Sequence, residues 1–417
     1  MTLRHQLVIA LLVLPAPWMA GACSPGDGSS DGSTDVHGAE VTVNALTEAP
    51  TGFDGLTNGF ATQAAMDEAA AVFTQIEDVG DGLGPVYNRQ SCRDCHNNPV
   101  VGGSSDVTEL RVGHFNGTIF VEPPGGSLIQ DRAIDPAIQE VVPPGNEVRA
   151  LRISLNLFGG GFVEAIADST LASLAANQPA AQRGSLIQVP VLEAAGHTRA
   201  GRFGWKDQHP SLLTCAAVEY LDEIGITTPL LPVEETSNGN SVAAFDHVPD
   251  PEDADGSDLA ALTLFMRSLK APPVDATRAA TASAQRGSNL FNQIGCAVCH
   301  VRSIATAPAG TVINGGAFTV PPALGDKIIH PLCDFLLHNI GTGDGIVQNG
   351  GQSTRNQIRT ACLWGVRTRP HLMHDGQSAT LTEAIGRHAN QAATARANFN
   401  NLSATSKQDV LNFLSSL

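Results

Sequence analysis

The chain has 417 residues, of which 42% are hydrophobic and 16% charged, and its formal net charge is −17 at pH 7. This length allows two or three domains, and the composition excludes a coiled coil, a highly charged disordered chain and a polytopic membrane protein. The excess of acidic side chains argues against nucleic-acid binding, which depends on basic residues that neutralise phosphates. A basic partner fits the charge better.

The first residues have the pattern of an exported protein. Arg4 and His5 precede an apolar stretch over residues 7–19, and small residues follow up to Cys23. This order predicts a cleaved signal peptide over residues 1–22. Small residues before a cysteine resemble a bacterial lipobox, which implies a lipid anchor at Cys23 as the only membrane contact and a periplasmic or outer-membrane-anchored lipoprotein. The alternative is ordinary cleavage, with Cys23 free or removed. Residues 23–50 are predicted to be a flexible tether.

Two later segments look alike, which indicates a partial internal repeat. In each, apolar residues at helical spacing precede a C-x-x-C-H motif. The first segment has Met66, Ala70, Phe73 and Ile76 before Cys92, Cys95 and His96. The second has Gly287, Leu290, Phe291 and Ile294 before Cys296, Cys299 and His300. An amphipathic helix is predicted to close each unit, over residues 257–270 and 406–417, with Ser406 and Asp409 as a capping-box-like start of the second.

A long insertion separates the first motif from its closing helix. It contains strand-like runs over residues 107–112, 118–121 and 186–192 and a predicted helix over residues 211–224. Helix, C-x-x-C-H, irregular chain and closing helix is the order of a class I cytochrome c domain. The predicted fold is therefore mainly α, with two cytochrome c-like haem domains over residues 51–272 and 273–417, joined near residues 271–281. The insertion gives the first domain some β-structure.

The C-x-x-C-H motif supplies two thiols for the vinyl groups of a haem and an imidazole for its iron. A thioredoxin-like redox pair and a structural zinc site are the alternatives. The histidine in both copies counts against the redox pair, and zinc would need further ligands at short spacing. We therefore expect two covalently bound haem c groups, with His96 and His300 as proximal ligands. The candidates for the distal ligand of the second haem are His371, Met373, His374 and His388.

Five stretches, residues 82–96, 159–166, 201–224, 335–343 and 363–385, resemble the bacterial di-haem cytochrome c peroxidase superfamily, and more closely its branch of thiol oxidoreductase-like di-haem oxidoreductases. The resemblance implies that the N-terminal haem reacts with peroxide while the C-terminal haem relays electrons from a small donor. Arginine side chains are candidate partners of the haem propionates, because a guanidinium matches a carboxylate. The candidates are Arg202, Arg355, Arg359, Arg367 and Arg369, and the alternative for each is a surface charge.

The resemblance assigns further roles to single residues. His388 stands where related peroxidases have the distal Met of the C-terminal haem, which implies a His300–His388 pair and a lower potential. His114 resembles the reversible distal histidine of the N-terminal haem, the alternative being a surface or strand histidine and an open sixth position. Glu164 resembles the acid that moves the peroxide proton, or else it is a solvated carboxylate at a helix start. Trp205 is the candidate bridge between the haems, or else a core aromatic.

Two more features follow from comparison with that superfamily. Cys333 and Cys362 stand where its members have other residues, and two such departures in one exported domain favour a disulfide. The acidic run of Asp250, Glu252, Asp253, Asp255 and Asp258 could bind Ca²⁺, as the peroxidases hold one between their domains. The alternative is a solvated linker whose acids favour the start of the next helix.

Together these features predict an exported di-haem c oxidoreductase that is peroxidase-like. Its predicted partners are hydrogen peroxide or another small oxidant and a small soluble electron donor, such as a basic cytochrome or cupredoxin. Two other classes stay open: a non-catalytic di-haem electron-transfer cytochrome, and an oxidase of a thiol or a partner protein.

Overall fold

Helices account for more of the structure than strands do, and most of the strands are short. The computed structural model describes residues 45–417, which belong to one compact unit. The predicted signal peptide and the lipid anchor at Cys23 lie outside the described residues. None of the helices within residues 45–417 has the length and apolar character that crossing a bilayer would need.

The structure has eleven α-helices and fifteen strands among the described residues. The helices are α1 Gln63–Thr74, α2 Cys92–Cys95, α3 Gly160–Glu164, α4 Asp168–Asn177, α5 Leu212–Glu219, α6 Ser257–Ser268, α7 Ala276–Ala279, α8 Ala282–Gln293, α9 Leu381–Gly386, α10 Ala393–Asn400 and α11 Ala404–Leu414. The strands are β1 Thr47–Glu48, β2 Val86–Tyr87, β3 Thr108–Phe115, β4 Phe120–Val121, β5 Leu128–Ile129, β6 Arg132–Ala133, β7 Val148–Ile153, β8 Gln188–Pro190, β9 Thr198–Ala200, β10 Ile304–Ala305, β11 Val312–Ile313, β12 Phe318–Thr319, β13 Lys327–Ile329, β14 Leu337–His338 and β15 Ile358–Arg359. A pair of packed helices occurs twice along the chain, first as α1 and α6 and then as α8 and α11.

The first helical pair consists of α1 and α6, which pack against each other. Thr62 caps α1, and Met66 and Phe73 are buried as the apolar spacing predicts. Ile76 is 66% exposed, because the helix ends at Thr74 and the stripe does not extend beyond it. On α6 the predicted apolar face is buried, and this confirms the first closing helix. Asp253 accepts hydrogen bonds from the backbone nitrogens of Asp258 and Leu259 at its start.

The second helical pair, α8 and α11, repeats this arrangement. Gly287 lies where the helices cross, because a Cβ built there would lie 1.9 Å from the Asp409 carbonyl oxygen of α11. The prediction that Ser406 and Asp409 start α11 is wrong. Ser403 caps the helix by accepting a hydrogen bond from the Ser406 nitrogen, while the Asp409 carboxylate accepts hydrogen bonds from Arg286 on α8. Asp409 therefore joins the two helices instead of capping one.

The insertion contributes the β-structure. Its central strand is β3, which pairs antiparallel with β4, β5 and β7, and the register with β7 runs from Thr108 opposite Ile153 to Gly113 opposite Val148. The predicted helix over residues 211–224 is α5 followed by a π-helical turn over Tyr220–Ile224. At the end of the predicted tether, β1 is not free chain, because it pairs in parallel with β13.

Candidate active site: two cavities with C-x-x-C-H motifs

Each C-x-x-C-H motif presents its histidine in the same way. In the first motif, α2 carries Cys92 and Cys95, and His96 follows at the helix end. Its Nδ1 donates a hydrogen bond to the Gly103 carbonyl oxygen at 3.0 Å, and its ring lies 6.2 Å from that of Phe73 on α1. A donor at Nδ1 leaves Nε2 with a free lone pair, which is the form of imidazole that binds a metal.

The second motif reproduces this geometry. His300 Nδ1 donates to the Leu332 carbonyl oxygen at 3.1 Å, and its ring lies 6.2 Å from that of Phe291 on α8. Burial, together with the neighbouring His388, lowers the pKa of His300 to about 4. Burial also lowers the pKa of His96. Both imidazoles are therefore neutral near pH 7, as metal ligands must be.

Both pairs of motif thiols lie in low-dielectric surroundings. Burial raises the pKa of Cys92 and of Cys95 to about 12 and that of Cys296 to about 11, and it raises the pKa of Cys299 as well. A zinc site needs deprotonated thiolates that converge with other ligands. Among residues 45–417, neither motif brings its own two cysteines and histidine within 4.8 Å of one another, although Cys299 of the second motif lies within this distance of Asp334 and His338. The geometry therefore does not favour zinc at the first motif.

Each motif opens onto a large cavity with mostly apolar walls. The first cavity, of about 210 Å³, is lined by Cys92, Cys95 and His96. The second, of about 140 Å³, is lined by Cys296, Cys299 and His300. Large apolar cavities with a few polar groups are typical binding sites for organic cofactors. The cysteines and the histidine of each motif thus face a space suited to an apolar group attached to them.

The second cavity has a histidine on the far side from its motif. His388 follows α9, which a capping box of Thr380 and Glu383 begins. Its Nδ1 donates to the Ala384 carbonyl oxygen at 2.7 Å, and its ring centroid lies 6.4 Å from that of His300. Two imidazoles on opposite sides of one metal, with metal–nitrogen bonds of about 2 Å, have ring centroids about 6 Å apart. The two rings therefore fit a haem iron held between them.

The first cavity is different. Among the described residues that line it, His96 is the only histidine. His114, the predicted distal ligand, does not line this cavity. It lies on β3 with a side chain that is 48% exposed, and its Nδ1 lies 2.8 Å from a Glu147 carboxylate oxygen. This is the strand-histidine alternative, because β3 turns that side chain toward solvent.

Three of the described residues line both cavities: Trp205, Arg359 and Arg369. Trp205 donates a hydrogen bond from Nε1 to the Ile153 carbonyl oxygen at 2.8 Å. Its ring makes an edge contact with that of His374 in the second cavity, with centroids 6.1 Å apart. The indole therefore lies in the wall between the two cavities, where an electron-transfer bridge would have to be.

The arginines in this wall show whether the cavities offer partners for the carboxylates of a haem. The Arg369 Nε is buried without a hydrogen-bond partner, although the residue faces both cavities. A buried guanidinium nitrogen of this kind needs an acceptor, and the carboxylates of haem propionates are suitable ones. Arg202 lines the first cavity only. Arg355, which stacks on the Phe115 ring, and Arg367, which donates to backbone carbonyls, line neither cavity.

Glu164, the predicted catalytic acid, does not line the first cavity. Its side chain is fully buried, and it accepts hydrogen bonds from Arg267, the Leu212 nitrogen and Asn314. Burial opposes ionisation of this carboxyl group, but Arg267 and the other donors hold its pKa below the usual value. Glu164 is thus an ion-pair partner in the core, and neither the predicted role nor the solvated alternative describes this position.

Glu219 on α5 is one of three carboxylates among the described residues that line the first cavity. Its side chain is 40% exposed, and its Oε1 lies 3.1 Å from Nε2 of the buried His209. Of the other two, Glu109 is paired with Arg111, and Glu223 accepts from Asn88 while burial and the neighbouring Glu109 raise its pKa. Glu219 is not among the residues predicted from the sequence. The signal available was its position one helical turn after Cys215, on the same face of a predicted helix.

Several other predicted residues have defined positions. Met373 and His374 line the second cavity, whereas His371 pairs with Asp106 outside it. Cys333 and Cys362 are close together, but the structure has them as free thiols and not as a disulfide. Within the acidic run, Asp250 and Glu252 group with Glu234, and their oxygens lie within 4.8 Å of one another.

Comparison with known proteins identifies a family for the part of the chain that contains the second motif. A family model described as "Di-haem oxidoreductase, putative peroxidase" matches residues 145–417, which include the second motif and begin after the first. No curated protein matches the chain.

Solved structures that match this chain include a hydrazine synthase from Kuenenia stuttgartiensis (13% identity, TM-score 0.41, 95% of this chain and 100% of that chain). A MauG-like protein associated with microbial copper homeostasis has 16% identity and a TM-score of 0.41, over 90% and 93% of the two chains. The di-haem peroxidase BthA from Burkholderia thailandensis has 15% identity and a TM-score of 0.32, over 74% and 94%. At these TM-scores the likenesses carry no conclusion. The family match covers well over half of the sequence, and the chain belongs to the di-haem oxidoreductase family.

Proposed function

We propose that this protein is an exported di-haem c oxidoreductase that reduces hydrogen peroxide at its first cavity and takes up electrons through its second. The observation that carries the proposal is the difference between the cavities. Among the described residues, the first has one histidine in its lining, and the second has two histidine rings 6.4 Å apart. A haem iron with two protein ligands passes electrons, whereas one with a free position can bind a small oxidant.

In this proposal each motif residue has one role. Cys92, Cys95, Cys296 and Cys299 would attach the two haems, and His96 and His300 would supply an imidazole to each iron. His388 would supply a second imidazole at the His300 site, which would close that site to substrates. In this proposal the mainly α fold consists of two cytochrome c-like halves, over residues 51–272 and 273–417, and each half holds one haem. Trp205, which lines both cavities, is the proposed path for electrons between them.

Proton transfer is assigned to Glu219. Reduction of one hydrogen peroxide molecule to two water molecules takes up two electrons and two protons, and a carboxylate in reach of the oxidant can move a proton between its oxygens. Glu219 faces the first cavity, and its Oε1 lies 3.1 Å from Nε2 of His209, which holds the carboxylate in place. Glu109 lies against Arg111, which favours its charged form.

The spin states of the ferric protein test the assignment of the two sites. We expect one high-spin haem, at the first cavity, and one low-spin haem, ligated by His300 and His388. The His388→Gly variant should convert the second haem to high spin, while His330→Gly, which removes an exposed histidine that lines neither cavity, should leave both spectra unchanged. Two low-spin haems that stay low-spin after reduction of one, with no reaction on adding peroxide, would show that the protein is an electron-transfer cytochrome.

Peroxide turnover separates the two candidate acids. We expect Glu219→Gln to lower kcat for peroxide reduction by about 10²-fold or more, which is the usual contribution of a positioned acid. Glu164→Gln, normalised to the amount of haem-loaded protein, should keep its kcat because Glu164 does not line the cavity. If Glu164→Gln loses turnover and Glu219→Gln keeps it, the role predicted from the sequence is correct and the assignment to Glu219 is wrong.

The partners and the location are proposed on the same basis. The net charge of −17 favours a small basic electron donor, a cytochrome or a cupredoxin. Its reduction of the protein should slow as salt concentration rises, because salt screens the attraction between opposite charges. The predicted signal and Cys23 favour a periplasmic or outer-membrane-anchored lipoprotein, which Cys23→Ser would release from membranes. Calcium binding stays a prediction, and titration of the metal-free protein with Ca²⁺ tests it at the group of Glu234, Asp250 and Glu252.

A further inference from the structure

Cys333 and Cys362 form a buried pair that the proposed function does not use. Cys333 is 0% and Cys362 is 7% exposed, and the two thiols are close enough for each to shift the pKa of the other. Cys333 lies four residues before β14, and Cys362 lies three residues after β15, the strand with which β14 pairs antiparallel. Backbone hydrogen bonds from Thr360 to Leu336 and from Leu363 to Pro331, at 3.0 Å each, hold the segments together on both sides of the cysteines.

These two hydrogen bonds enclose both cysteines, with residues 332–335 on one segment and residues 361 and 362 on the other. The two thiols are close enough for each to shift the pKa of the other. Formation of a disulfide requires Cα atoms about 4.4–6.8 Å apart. The short enclosed segments keep the two cysteines near each other.

The two thiols differ in their surroundings. Cys362 lines the first cavity, and the Arg359 guanidinium donates a hydrogen bond to its sulfur at 3.7 Å. Burial opposes ionisation of Cys362, but Cys333, Arg359 and Arg369 together bring its pKa below the usual value. Cys333 does not line the cavity, and its thiol donates to the Thr360 carbonyl oxygen at 3.1 Å. Burial raises the pKa of Cys333. Cys362 is therefore the nucleophile, and Cys333 is the thiol held beside it.

We propose that Cys333 and Cys362 form a redox-active dithiol that hydrogen peroxide in the first cavity oxidises to a disulfide. The Cys362 sulfur attacks one peroxide oxygen, the O–O bond breaks, and the other oxygen leaves as hydroxide, which takes up the proton lost by Cys362. The Cys333 sulfur then attacks the sulfur of the Cys362 sulfenic acid. The S–S bond forms, the S–O bond breaks, and the departing oxygen takes the Cys333 proton. Two thiols lose two electrons and two protons, and one peroxide becomes two water molecules.

This reaction shares its oxidant with the proposed function but involves no haem chemistry. The full-length, haem-loaded protein is reduced under anaerobic conditions, freed of reductant and treated with one equivalent of hydrogen peroxide. It is then denatured in acid, alkylated with iodoacetamide and digested for mass spectrometry. We expect a peptide pair joined through Cys333 and Cys362, two hydrogens lighter than the reduced pair. Cys215, which also lines the first cavity but whose pKa burial raises, should stay fully alkylated.

Two variants identify the order of events. In Cys333→Ser the reaction should stop at the sulfenic acid, which dimedone traps on Cys362. In Cys362→Ser, Cys333 should stay a free thiol. Recovery of both cysteines as alkylated thiols in the wild-type protein, at peroxide levels that change the haem spectrum, would overturn the dithiol proposal and leave the proposed function intact. A Cys333–Cys362 disulfide together with an unchanged haem spectrum would support the dithiol and contradict peroxide reduction at the haem.

Discussion

The crossing of α8 and α11 makes a quantitative prediction for Gly287→Ala. A Cβ at this position would lie 1.9 Å from the Asp409 carbonyl oxygen and 2.9 Å from the Val410 nitrogen. Both atoms belong to the backbone of α11, so no side-chain rotation relieves the overlap. The helices must separate until the contact reaches the 3.4 Å at which ordinary van der Waals contact begins.

Two opposing terms set the size of the effect. Overpacking of a helix interface costs about 1–3 kcal/mol, and a backbone clash of this depth belongs at the upper end. Alanine in place of glycine within a helix returns about 1 kcal/mol. The expected net loss in the free energy of unfolding is therefore about 2 kcal/mol. With an unfolding entropy of about 0.8 kcal/mol/K for about 370 residues, this lowers Tm by about 2–3 °C.

The assay is thermal unfolding of the haem-loaded protein, followed by circular dichroism and by the absorbance of the haems. Gly386→Ala is the matched control, since Gly386 also lies in a helix and a Cβ there would meet no atom within 4 Å. This variant should keep or slightly raise Tm. Because α8 leads into the second motif, Gly287→Ala should also shift the second haem's spectrum. An unchanged or raised Tm for Gly287→Ala would refute the close crossing of α8 and α11.

Three further variants test the site and the core. His388→Met should keep the second haem low-spin and raise its reduction potential, because a thioether replaces an imidazole; redox titration with visible spectra measures this, and an unchanged potential would mean that His388 is not a ligand. Trp205→Phe should slow electron transfer between the haems in stopped-flow experiments, whereas Trp364→Phe, which lines the first cavity only, should not. Glu164→Gln should lower stability by about 3–5 kcal/mol near neutral pH, because it removes the charge that pairs with Arg267. The pKa of Glu164 is depressed in the folded protein, so its stabilisation is complete above the unfolded value and is lost as pH falls through the folded one. In urea unfolding the difference between wild type and variant should therefore shrink below about pH 4.5, and a pH-independent difference would contradict this account.

The sequence determined those features that depend on near neighbours along the chain. The helical period identified α1, α6, α8 and the helical segment of α5, since burial of one helix face is a local pattern. The C-x-x-C-H motifs predict haem attachment in the same way, because both thiols and the imidazole lie within one turn. The predicted start of α11 was wrong because two nearby serines are equally suitable as the N-cap. Ser403 and Ser406 are both good caps, and the packing of Asp409 against Arg286 decided between them.

Only the tertiary structure decided which distant side chains share a cavity. His300 and His388 are far apart in the chain, and α9 and the second motif bring their rings to 6.4 Å. The sequence could not show which of Glu164 and Glu219 faces the first cavity. Glu164 forms a buried ion pair with Arg267 on α6, whereas Glu219 lines the cavity. His114 points toward solvent because of the register of β3 with its neighbours. The sequence by itself thus determined two haem-type motifs and the helices around them, and long-range packing decided which groups can act at each motif.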